Sequence, residues 1–135
     1  MANVANVIEG LAAWLDAEGL ADYKTTGYGP ADRAVTFKRL PATPDQAVAI
    51  TPYGIDEPTV LPGQYIRVQL RFRGPVGDRL LVDRWADEVV SRLHWKHNID
   101  LGGVMVRRSR RLNGVALGED ESGREERADN YEFLL

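Results

Sequence analysis

Between Gln64 and Gly74 apolar and polar residues alternate without a fault: Ile66, Val68, Leu70 and Phe72 interleave with Arg67, Gln69, Arg71 and Arg73. Side chains along a strand point to opposite sides with period two, so this segment predicts a strand with one face in a core. The other face then offers the guanidinium groups of Arg67, Arg71 and Arg73 to water or to a partner. Upstream, Val4, Val7, Ile8, Leu11 and Leu15 recur at spacings of three and four. That stripe predicts an amphipathic helix that Asn3 caps and Gly19 ends. Trp14 lies at the edge of the stripe, where an indole is expected in the core or at a subunit contact. Beyond the strand, Leu81, Trp85, Val89 and Leu93, widened by Leu80 and Val82, predict a second, longer helix.

The remaining segments are shorter. Ala34–Phe37 and Ala47–Thr51 read as strands on either side of the proline-broken stretch 40–45, and 23–32 and 52–63 read as loops. Leu101-Gly102-Gly103 reads as a turn, with Val104 and Val106 inward and Met105 and Arg107 outward on the strand that follows. The alternation fails through Arg108, Ser109 and Arg110, and 112–117 reads as a further short strand. The charge run 118–127 is expected as a mobile, solvated loop, and Tyr131, Phe133 and Leu135 share one face of a last strand. The expectation is an α+β fold: a single domain over 1–135, with an antiparallel or mixed sheet of about five strands packed against two helices. The one strand-helix-strand unit, from Gln64 through the second helix to Val104, would supply one parallel pair.

Seventeen Lys and Arg against twenty Asp and Glu leave a net charge of -3, which argues against a main role in gripping nucleic acid. With no cysteine, a disulfide scaffold and a thiolate zinc site are excluded. No run of about 20 apolar residues and no basic leader appears, so no membrane is expected and the chain reads as soluble and unexported. His94 and His97, three apart at the expected helix end and near Asp100, have metal-ligand spacing. Helix-dipole effects explain them more simply. The acidic run lacks the ligand order of a calcium loop, and Gly27-Tyr28-Gly29 lacks the third glycine of a phosphate loop. No catalytic, cofactor or metal site is therefore expected. Recognition is, through Arg67, Arg71 and Arg73 and through the basic cluster Arg107, Arg108, Arg110 and Arg111. The latter stands a short hairpin away from the acidic Glu119, Asp120 and Glu121, and the two runs either pair, within one chain or between copies, or form two solvated faces.

The order of features also carries a resemblance. It runs from the N-terminal helix through Leu40-Pro41-Ala42-Thr43-Pro44-Asp45-Gln46-Ala47-Val48-Ala49-Ile50 and the arginine strand to a helix ending Leu93-His94, then Leu101-Gly102-Gly103-Val104. The turn Asp120-Glu121-Ser122-Gly123-Arg124 and the final Asn130-Tyr131-Glu132-Phe133 complete it. In this order the chain resembles the minor capsid or tail terminator family of tailed bacteriophages. The resemblance implies a virion structural protein, without catalytic residues and assembled in the host cytoplasm. It would form a hexameric ring on the tail tube at the tail-neck junction, stop tube growth and join tail to head. Implied partners are further copies of the chain, the major tail tube protein and a head-completion or stopper protein, with DNA only as cargo. Three other readings are open: a stopper protein of the neck, an accessory nucleic-acid-binding protein using the basic cluster, and a small enzyme using His94 and Asp100.

Overall fold

A computed structural model of the chain describes residues 3–54 and 62–135. Its element order is α1 (Val4–Ala17), β1 (Ala34–Phe37), β2 (Ala47–Tyr53), β3 (Tyr65–Val76), α2 (Leu81–Leu93), β4 (His97–Leu101), β5 (Val104–Glu119) and β6 (Arg124–Leu134). The Asn3 side chain accepts the Asn6 amide at 3.0 Å, and Gly19, at φ +71°, follows the last turn of α1. Both ends of α1 thus satisfy backbone groups that a helix leaves without internal partners. At the start of α2 the Asp78 carboxylate accepts the amides of Leu80 and Leu81.

The strands form one mixed sheet in the order β1-β2-β3-β6-β5-β4, in which β1 and β2 are parallel and every other pair is antiparallel. Six strands replace the expected five because His97–Leu101 is itself a strand. The expected parallel pair flanking α2 does not form: β3 and β5 run the same way, but β6 lies between them and pairs with both. Leu112–Leu117 is not a separate strand either. Bulges near Leu112 and Leu117 absorb the broken alternation and let β5 run unbroken to Glu119. The loop expected over 118–127 contracts to a turn at 120–123, with strand residues on both sides. Of the loop expected over 52–63, Pro52 and Tyr53 end β2, and 55–61 lie outside the described residues.

One core unites both helices with the inward face of the sheet. Ile66, Val68, Leu70 and Phe72 point into it as their alternation requires. Trp85 is edge-on to Phe72 at 5.1 Å and donates its indole N–H to the Leu20 carbonyl at 2.7 Å, anchoring α2 to the segment after α1. Trp14 is partly buried against the same core. α1 touches both β2 and β4, which stand four strand spacings apart. Four spacings amount to about 19 Å, within the length of about 21 Å of this 14-residue helix, so α1 can bridge them. At the far margin α1 meets the β4-β5 turn backbone to backbone: a Cβ on Gly10 would lie 2.2 Å from the Gly102 nitrogen.

Candidate subunit interface

The face of the sheet turned away from the helices is built from rows of side chains fixed by register. Tyr53, Arg67, Glu132 and Arg110 form one row, and Thr51, Gln69, Asn130 and Asn113 the next. Glu132, 8% exposed, lies between Arg67 at 3.2 Å and Arg110 at 3.1 Å. In the second row Asn130 accepts from Gln69 at 3.2 Å and donates to Asn113 at 2.7 Å. Arg71 reaches diagonally to Glu126, with its Nε at 2.7 Å. Cross-strand pairs of this kind stabilise the sheet itself.

Placed in this frame, most of the arginines expected at the surface are already held. Arg67 and Arg71 are half-exposed but ion-paired. Arg73 is the correction in that set: it is 4% exposed, and its guanidinium donates to the carbonyls of Asp45 at 2.9 Å and Pro44 at 2.8 Å. The proline-broken stretch 40–45 has folded over this end of the strand. Burial and the neighbouring Arg124 lower the Arg73 pKa, though acidic neighbours oppose them.

The basic cluster disperses in a similar way. Arg107 donates to the Leu135 carbonyl, Arg108 stacks 5.3 Å over the ring of Trp95, Arg110 pairs with Glu132, and Arg111 stands 3.8 Å from Asp129. Pairing of this cluster with Glu119, Asp120 and Glu121 within the chain, one of the alternatives the sequence left open, does not occur: its ion pairs are with Glu132 and Asp129. Asp120 instead accepts the amides of Ser122 and Arg124 and the Arg124 side chain, and these bonds, the Arg124 amide first, lower its pKa. Arg124 also donates to the Ala42 carbonyl at 2.9 Å, tying the β5-β6 turn to the proline stretch. Toward the helices, Arg127 bonds Asp129 at 2.9 Å, Asp87 at 2.9 Å and Asp83 at 3.3 Å. Burial opposes its charge, but these carboxylates outweigh burial and raise its pKa.

His94 and His97 do not share a helix face. His94 caps α2, and its Nδ1 accepts the Arg111 amide at 3.0 Å, whereas His97 belongs to β4. Among the described residues no group of three or more His, Cys, Asp or Glu side chains is arranged to hold a metal ion.

The geometry directs attention to the free margin of β5. β4 pairs with β5 only as far as Arg108, and Trp95 and Lys96 continue the bonding to Ser109. The His94 imidazole then closes the edge at Arg111. From Leu112 to Glu119, all eight residues are exposed, and among the described residues no strand covers their outer edge. Leu112, Val115 and Leu117 are 37%, 48% and 44% exposed. The stretch 112–118 contains no charge and no proline, the usual means of protecting an edge strand. Past it, Glu119 and Glu121 have no ion-pair partner among the described residues.

Between the residues that follow β1 and the outward side chains of β3 and β6 lies a cleft of 320 Å³ lined by Lys38, Arg39, Leu40, Arg71, Arg73 and Glu126. Lys38 and Arg39 are exposed, and their side chains carry no bond among the described residues. Sequence reasoning passed over both. The available signal was two adjacent cations without a nearby carboxylate, immediately before the proline stretch.

A family model described as bacteriophage tail terminator protein matches residues 14–135. The chain belongs to this tail terminator family. No curated protein matches it. A solved structure resembles this terminator-family chain at 20% identity, with 97% of this chain and 92% of the other covered and a TM-score of 0.49. Among the described residues no helix is long and apolar enough to cross a membrane.

Proposed function

We propose that this terminator acts as a ring of identical subunits, six in number, that caps the last ring of the tail tube at the tail-neck junction. It stops tube growth and presents the tail to the head-completion protein, and DNA passes through it as cargo. The role is non-catalytic, and assembly takes place in the host cytoplasm. The observation that carries this reading is the uncovered, apolar margin of β5 in a family member whose other charged groups are largely paired internally. Such a margin is expected to be covered in the working assembly. The pairing of Arg110 and Arg111 within the chain weighs against a nucleic-acid-binding role for that cluster. Native mass spectrometry over a concentration range, with and without the cognate tail-tube protein, tests the proposal. A hexamer, free or only on tube ends, is the expected result. A monomer that ignores tubes but binds head-completion protein would instead favour a neck stopper.

A further inference from the structure

Two patches without ion pairs among the described residues have opposite signs and stand toward different margins of one sheet, one past the free edge of β5 and one at the end of β1. Beyond the β5 margin stand Glu119 and Glu121, with Leu117 beside them. Across four strand spacings, Lys38 and Arg39 flank Leu40 in the basic cleft, with Arg71 behind them. We propose that the occupant of the β5 margin is a second copy of this chain, presenting its Lys38–Leu40 side. In that contact Glu119 and Glu121 meet Lys38 and Arg39, Leu117 packs near Leu40, and the neighbour shields the bare edge at 112–118. This inference rests on the ring reading and names the surfaces by which the ring closes.

Two alternatives are less well matched. A two-fold pairing of β5 with β5 would set the acidic tip against Arg110 and Arg111, but both already face carboxylates of their own chain, Glu132 and Asp129. A direct strand-to-strand junction with β1 is obstructed, because Asp22 already bonds that margin through the Arg33 carbonyl and the Val35 amide. The contact is therefore side-chain led at β1, with charge and the apolar residues supplying complementarity. It joins two different patches, so each copy has one of each left to offer. Such a heterologous contact builds a ring when the rotation closes.

The absence of native cysteine allows a clean test. Glu121→Cys and Lys38→Cys variants are prepared separately, mixed, and oxidised or treated with a short bifunctional thiol reagent, with tube protein present if the ring forms only there. The expected result is a dimer joining one chain of each kind, with little cross-linking of either variant alone. Cross-linking of Glu121→Cys to itself would overturn the assignment in favour of a two-fold contact. As a second measurement, Glu119→Lys/Glu121→Lys and Lys38→Glu/Arg39→Glu should each lose the oligomer, and mixing the two should restore it. These positions are exposed, so circular dichroism should show folded chains throughout. An oligomer that forms normally in both charge-reversed proteins defeats the proposed contact while leaving the ring intact. A wild-type chain that never oligomerises, with or without tubes, defeats both.

Discussion

Replacing Gly10 by alanine sets helix propensity against packing. In an exposed helix interior this change stabilises by about 1 kcal/mol. Here the added methyl would lie 2.2 Å from the Gly102 nitrogen, 2.4 Å from the Leu101 carbonyl carbon and 2.8 Å from the Leu101 Cα. All three are backbone atoms, so no rotamer change relieves the overlap, and normal carbon contacts near 3.5 Å require a shift of about 1 Å or more. The shift would lift Val7 and Leu11 from a core in which both are fully buried. Overpacking of this kind costs about 1–3 kcal/mol, and contact with rigid backbone places it at or above the upper end. After the propensity gain, a net loss of about 2 kcal/mol or more is expected, lowering Tm by about 6 °C or more for a chain of this size. Urea denaturation read by circular dichroism and tryptophan fluorescence, with calorimetry for Tm, gives the comparison. An unchanged or raised Tm would refute the close backbone approach of α1 to the β4-β5 turn.

Arg73→Ala removes both donors that hold the Asp45 and Pro44 carbonyls and should destabilise by about 2–4 kcal/mol in chemical denaturation; a loss below about 0.5 kcal/mol would count against that bracing role. Asp129→Asn leaves Arg127 and Arg111 without a fully buried carboxylate and should cost about 3–5 kcal/mol, with a wild-type midpoint refuting the assignment. The Tyr131 hydroxyl is buried without a hydrogen-bond partner among the described residues, and burial raises its pKa above the ordinary value of 10. The unfolded chain therefore releases this proton first, so the associated stability is fully present below pH 10 and is lost as pH rises beyond it. Tyr131→Phe should be neutral or stabilising by about 1 kcal/mol at pH 7 and should flatten the alkaline decline. A marked loss of stability in that variant at pH 7 would show that the hydroxyl has a partner.

The sequence carried the elements with strong periodicity. Both helices and β3 follow from spacing alone, because each buries one regular stripe or face. β5 was harder to read. Val106 and Ser109 are both buried although three apart, so period two fails there, and bulges near Leu112 and Leu117 disturb it again. The hidden strand β4 has only Ile99 and Leu101 buried among polar neighbours, too weak a pattern to separate from the helix end before it. At the candidate interface, sequence showed the arginines but not their partners. Pairing of Arg67 and Arg110 with Glu132, and burial of Arg73 beneath the proline stretch, depend on strand order and on a loop folding back. Neither is a local property.

The bare margin of β5 also limits how long a subunit can wait. Its hydrogen-bonding groups are open to any extended chain, and 112–118 carries neither proline nor charge to turn the wrong one away. Gly114 and Gly118 weaken the stretch as a strand former, and the acidic residues beyond it oppose stacking of like ends. In concentrated solution the free chain should therefore lose solubility before it loses its fold, an effect that salt would strengthen by screening those carboxylates. On the ring reading proposed above, burial of this margin against a neighbouring subunit is then a condition of staying soluble.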